Sequence, residues 1–201
     1  NGKAMHIKGF LTRFSKTAKT QAEFLNRVAK LNVPLVGVDS AIVLSYRDEY
    51  KEALGDSRGD FHVLTAHEWL TNQLESNALQ SAVKNIAKSD RTFEWHLFPH
   101  CAESTFMPNS PKEWQHIFVQ FGQTLKVEKV GCCGMAGVFG HEVQNQTMSK
   151  DIYDVSWGKK LQGKDPNHCL ATGYSCRSQV KRYEKAILKH PVQALLEVLN
   201  H

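Results

Sequence analysis

Two cysteines stand side by side in a glycine frame, Gly131-Cys132-Cys133-Gly134, and Cys101, Cys169 and Cys176 lie in the same half of the chain. Adjacent cysteines pair with each other only under strain. Both can turn thiolates toward one metal centre where the backbone bends, and the flanking glycines permit that bend. Thiolates select soft ions and iron–sulfur groups. Cys101 and Cys176 each follow a predicted strand and begin a connection, as the adjacent pair does. In a parallel sheet these three positions fall on one carboxyl edge, where open α/β folds hold their ligands. Cys101, Cys132, Cys133 and Cys176 are therefore the candidate metal ligands. Cys169 sits inside a predicted strand and reads as a core residue. Two metal-free chemistries compete: a low-pKa Cys132 or Cys133 with His100 as base, and thiol–disulfide exchange across Cys101, Cys133 and Cys176. Neither explains the adjacency within glycines.

Supporting residues surround these thiols. His100 either binds the metal group, hydrogen-bonds a ligand thiolate, or is an ordinary loop histidine. Gly131, Gly134 and Gly137 read as close backbone approach to the site rather than as a phosphate cradle, because their spacing, with Gly140, lacks the dinucleotide pattern. His141-Glu142 has no second histidine four residues after His141 and so is no zinc-protease signature; it reads as a pocket wall or a solvated helix start. Arg177 and Arg182 are candidates to offset thiolate charge, and Trp69, Trp95, Trp114 and Trp157 are candidate core residues.

The elements that must position this chemistry alternate between helix and strand. Phe14, Ala18, Leu25, Val28 and Leu31 share one helix face, stopped by Asn32 and Pro34. Residues 35–38 form a strand, Asp39-Ser40 caps a helix carrying Tyr46 to Tyr50, and 55–60 is a polar loop. Strand 61–64 and helix 67–79 follow. In the second half, strand 93–98 ends at Pro99-His100-Cys101, and Ser110-Pro111-Lys112-Glu113 opens a helix with Ser as cap and Glu reaching back. Trp114, Ile117, Phe118, Phe121 and Leu125 form its apolar face. Strand 127–130 runs into Gly131, a long helical stretch ends near Gly163, 169–172 is a strand, and helices begin near Arg177 and at Pro191. A faint repeat relates Ser40-Ala41 to Ser175-Cys176 at an offset of 135, and Val63 with Glu68-Trp69-Leu70 to Val192 with Glu197-Val198-Leu199 at 129. The expected fold is α/β with two similar halves, 1–88 and 89–201, each a small mostly parallel sheet flanked by helices.

Composition narrows the function classes. The 201 residues suit one domain or two small ones. The net charge of +5 is spread along the chain without a basic block, which argues against nucleic acid. No apolar run approaches the roughly 18 residues of a membrane-spanning helix. An odd count of five cysteines argues against a secreted disulfide framework and for a reducing compartment. The chain opens at Asn1 without a signal peptide, which reads as a piece of a longer polypeptide.

His100-Cys101, then 29 residues, then Gly131 to Gly137 with Phe139-Gly140, then Thr172-Gly173-Tyr174-Ser175-Cys176-Arg177, resembles the cysteine-rich CCG domain. That domain occurs in heterodisulfide reductase, in iron–sulfur subunits of glycolate oxidase and anaerobic glycerol-3-phosphate dehydrogenase, and in FAD-linked D-2-hydroxyacid dehydrogenases. The likeness is strongest to the C-terminal region of the bacterial FAD- and iron–sulfur-dependent D-lactate and D-2-hydroxyglutarate dehydrogenases. Asn1-Gly2-Lys3, Gly9-Phe10-Leu11, Pro34 to Asp39, Tyr46 to Tyr50 and Glu68-Trp69-Leu70 resemble a degenerate first repeat without cysteines. The second repeat departs from the family's fullest motif at Gly173, where a fifth thiol is expected. The resemblance implies an electron-transfer region holding an iron–sulfur cluster (4Fe-4S among the options) or zinc through four cysteines. Alternatives are a structural docking module with a zinc or empty site, or a metal-free thiol–disulfide protein. It further implies FAD and ferredoxin-type domains upstream in the same polypeptide, a separate electron acceptor, and no turnover by this region alone. A homo-oligomer is compatible with it, as is a location in the cytoplasm or peripheral at the inner membrane.

Overall fold

A computed structural model describes residues 1–86 and 92–200. The chain divides into two compact units, Asn1–Ala66 and His67–His201. The expected boundary at 88/89 lies outside the described residues.

In the first unit, α1 (Lys3–Ile7) precedes α2 (Leu11–Ala29), which buries Phe14, Ala18 and Ala22 at four-residue spacing. These pack with Val43, Tyr50, Phe61 and Val63 in a hydrocarbon core. Asn32 adopts a left-handed φ of 54°, and Leu31 is 71% exposed rather than on the helix face. The helix has already ended at Ala29, so its period no longer carries Leu31 inward. Strand β1 (Leu35–Gly37) leads to α3 (Ser40–Arg47) and α4 (Glu49–Leu54), and β2 (Val63–Thr65) pairs with β1 in parallel. Asp39 caps α3, its Oδ1 accepting from the Ile42 amide at 3.2 Å. The expected polar loop contains a 3-10 turn, Gly55–Arg58. There Arg58 donates to the carbonyls of Tyr46, Gly59 and Phe61 while lying over the Phe61 ring.

Helix α5 (Ala66–Glu75) begins at the boundary between units, and α6 (Gln80–Ile86) follows. The second unit is built on β3 (Glu94–Phe98), flanked by β4 (Thr124–Val127) and β5 (Cys169–Ala171), all parallel in the order β4-β3-β5. Helices α7 (Cys101–Phe106) and α8 (Ser110–Gln120) connect β3 to β4. The architecture is thus α/β with two small parallel sheets flanked by helices. Trp95, Trp114 and Trp157 are buried, whereas Trp69 is half-buried.

Several local expectations are revised. Asn109, not Ser110, holds the N-cap position of α8. Ser110 instead donates to the buried Glu103 carboxylate, and Glu113 meets His67 Nε2 at 3.2 Å. Leu125 belongs to β4 rather than to the helix face, because Gly122 turns the chain at φ 65°. The strand expected at 127–130 lies three residues earlier, where Thr124 aligns with Glu94. The stretch expected to be one long helix contains α9 (Gln146–Tyr153), a π-helical turn at Asp154–Gly158 and α10 (Lys159–Leu161), after two 3-10 turns. Helix α11 (Tyr174–Glu184) starts before Arg177, and α12 (Pro191–Leu199) is capped by His190. Of the two proposed repeat matches, Ser40 and Ser175 both open helices after strands, but Val63 is in a strand and Val192 in a helix.

Candidate functional site

Parallel strands β3, β4 and β5 deliver their C-terminal ends to one edge of the second sheet. Beyond β3 the chain stays extended at His100, whose Nδ1 accepts from the Ala102 amide at 3.2 Å and so starts α7 with Cys101 as its first residue. The His100 amide donates to Thr172 Oγ1 at 2.9 Å, tying the end of β3 to the segment just after β5. Cys176 follows in the first turn of α11. The Cys132-Cys133 pair lies in irregular chain beyond β4.

This irregular segment is held by side chains rather than by a helix. Gly131 donates to Ser156 Oγ at 2.7 Å and accepts from Trp157 Nε1 at 3.1 Å. Gln179, fully buried, donates to the Cys133 carbonyl at 3.0 Å and to Ser149 Oγ at 2.8 Å, and Ser149 donates to the Gly134 carbonyl at 2.7 Å. Gly134 has φ 82°, and a Cβ there would lie 2.1 Å from the Ser149 carbonyl oxygen, so this position admits only glycine. Gly131 and Gly137 are not buried.

The four candidate thiols form a contact chain. Cys132 receives hydrogen bonds from the Cys101 and Cys133 thiols, and Cys133 also bonds with Cys176. These bonds, chiefly the one from Cys101, pull the Cys132 thiol far below its ordinary value, to about 2, against the opposing effect of burial. Backbone amides of Gly134, at 3.3 Å, and Ala136 also point to its sulfur. Cys101 is pushed up by its bond to Cys132, then by burial and by the charges of Cys132 and Cys176. Cys133 is pushed up by its bonds to Cys132 and Cys176 and by burial. The Ala102 and Met135 amides bond to the sulfurs of Cys101 and Cys133. Cys133 and Cys176 are buried among Phe98, Met135, Tyr153, Trp157, Val180 and Leu188. Cys169 lies in β5, fully buried, and burial raises its thiol to about 11.

All five cysteines carry free thiols. Among the described residues, no group of three or more His, Cys, Asp or Glu side chains is arranged to hold a metal ion. The chemistry of the thiols still fits a thiophilic group: several sulfurs together, one favoured as thiolate, with backbone N–H donors aimed at them.

Two arginines on α11 are tied to backbone. Arg177 Nη1 donates to the Ala171 carbonyl at 2.7 Å, and Arg182 Nη1 to the Gly140 carbonyl at 2.6 Å, so both clamp backbone. Glu142 accepts from Gln144 and Asn145, fixing its own turn. Gln179, Ser149 and Ser156 carry no signal in the sequence, because isolated polar residues on predicted helices have no telling spacing; Thr172 enters there only as part of the motif around Cys176.

Among curated proteins, the chain is 80% identical along its whole length to a D-2-hydroxyglutarate dehydrogenase of Haemophilus influenzae, covering 20% of that protein. It is 55% identical to the protein of the same name from Escherichia coli K12, covering 19% of it. A more distant relative, at 22% identity over 98% of the chain and 49% of the relative, is a component of the anaerobic glycerol-3-phosphate dehydrogenase of Escherichia coli K12. The chain thus spans about a fifth of the length of the dehydrogenases it matches, within their C-terminal region. No family model and no solved structure gives a significant match. Among the described residues no helix is long and apolar enough to cross a membrane.

Proposed function

The chain is homologous to the C-terminal region of D-2-hydroxyglutarate dehydrogenases, and from that premise we propose that it is the electron-transfer region of such an oxidoreductase, holding a thiolate-bound metal group through Cys101, Cys132, Cys133 and Cys176. The observation that carries this reading is that Cys101, the Cys132-Cys133 pair and Cys176 each follow the C-terminal end of one of three parallel strands, at one edge of the sheet. When bound, an iron–sulfur cluster supplies one-electron transfer, whereas zinc at the same thiols is redox-silent.

This chain's own residues prepare the sulfurs. The Gly134, Ala136, Met135 and Ala102 amides direct N–H dipoles at them and stabilise negative charge. Gln179 and Ser149 fix the Cys132-Cys133 turn, and Trp157 packs beneath it and limits water. The D-2-hydroxy acid would be oxidised at FAD in the remainder of the polypeptide, giving up a hydride, and electrons would leave singly toward a separate acceptor. The same polypeptide's flavin and ferredoxin-type domains are the proposed partners, and the cytoplasm or the inner-membrane surface the proposed location.

The low Cys132 pKa also favours a second reading, thiol–disulfide exchange, in which two neighbouring thiols join in a disulfide while a partner disulfide takes up their two electrons and two protons and becomes two thiols. Anaerobic purification of the intact protein separates the two. The metal reading expects Cys133→Ser to hold less iron and acid-labile sulfide, or less zinc, than wild type by the amount of one metal group, and Cys169→Ser to hold as much as wild type. Equal loss in both variants contradicts the ligand assignment. No metal at these thiols, together with a reversible disulfide, favours the second reading.

A further inference from the structure

Position 173 is a puzzle in physical terms. Gly173 is the N-cap residue of α11, with φ −88° and ψ 132°, a conformation open to every amino acid, and no side chain caps the helix there. Serine or aspartate would cap such a helix start somewhat better than glycine does. The constraint is therefore space. A Cβ built on Gly173 would lie 2.4 Å from His100 Cδ2, 3.0 Å from His100 Cγ and 3.1 Å from Cys176 Sγ. Any side chain at 173 would thus enter the thiol site, and the carbon edge of the His100 ring already fills that place.

The ring cannot easily step aside. Its Nδ1 accepts from the Ala102 amide and so caps α7, while the His100 amide is bound to Thr172 Oγ1. Moving the imidazole would strip the cap from the helix that presents Cys101. Glycine at 173 and histidine at 100 are consequently a matched pair: the first is small because the second is seated on it.

We propose that His100 is a specificity-determining residue, whose ring, seated on Gly173, keeps any side chain at position 173 out of the Cys176 side of the site, so that no protein donor comes from that position. The donor limit rests on the metal reading above, whereas the matched pair does not. Closing position 173 in this way favours a metal group that needs no further sulfur there beyond those of Cys101, Cys132, Cys133 and Cys176.

Four variants of the intact protein, two of them paired with a change at His100, test both levels. Gly173→Ala displaces the ring, so amide exchange in the first turn of α7, read on peptides covering 101–106, should accelerate at least about tenfold. His100→Asn retains a capping oxygen without the ring, so His100→Asn/Gly173→Ala should return exchange to within about threefold of wild type. These two results need no metal. In anaerobically purified protein, Gly173→Cys should lose metal, whereas His100→Asn/Gly173→Cys should hold it with the new thiol shielded from alkylation by the bound group. Unchanged exchange in Gly173→Ala overturns the matched pair. A shielded thiol in Gly173→Cys with His100 intact overturns the donor limit. Wild-type protein without metal at these thiols overturns the metal reading and the donor limit, and leaves the exchange result to judge the pair.

Discussion

The two units use the same turn to different ends. After β1 the chain reaches Asp39, whose carboxylate caps α3; after β3 it reaches His100, whose imidazole caps α7. Both are strand–cap–helix turns in a parallel α/β setting. In the first unit the cap is followed by Ser40, and the core beneath is hydrocarbon. In the second it is followed by Cys101, and Cys133 and Cys176 are part of the core itself. The turn supplies position and a helix N-terminus; the residue after the cap decides whether chemistry follows.

Reactivity should separate the units most. In metal-free, reduced protein, Cys132 stays a thiolate well into acid, so its alkylation rate should be nearly flat from about pH 8.5 to about 5.5. An ordinary thiol loses about tenfold per unit, or roughly a thousandfold, over that span. Because the folded value is depressed, its contribution to stability is complete above the unfolded thiol's pKa of about 8.5 and fades as pH falls toward about 2. A Cys132 rate that falls with pH like a free thiol would erase the contrast. Next in size, Phe14→Ala should cost the first unit about 4 kcal/mol by opening its core, read by hydrogen exchange in α2. In the second unit a single methyl should do comparable damage: Gly134→Ala should cost about 3 kcal/mol through left-handed strain and the Ser149 carbonyl clash, read as a lowered denaturation midpoint. Asp39→Ala should cost only about 1 kcal/mol, read as faster exchange at the start of α3, with Cys132 reactivity unchanged.

How far the molecule is legible in sequence differs along the same divide. The α/β class, the Asp39 cap and the placing of Cys101 and Cys176 just beyond strands followed from local pattern, because each rests on neighbours a few residues away. Residues 128–163 did not. Their glycines and short turns depend on distant polar residues, Gln179 reaching the Cys133 carbonyl and Trp157 reaching the Gly131 carbonyl, which no periodicity announces. Arg177 and Arg182 show the same dependence: Nη1 of each donates to a backbone carbonyl, that of Ala171 and that of Gly140, contacts that no spacing in the sequence announces. Gly173 was legible only as a missing thiol; its reason is the ring of His100, 73 positions away.

The central claim is that four thiols from three separate stretches act as one site. Peptide-resolved alkylation of the intact protein, before and after anaerobic chelation, tests it most directly. The account predicts that chelation raises the reactivity of the shielded thiols, most of all that of Cys132, the favoured thiolate, while Cys169 is unreactive before and after it. Independent reactivity of the four, indifferent to the chelator, would contradict it.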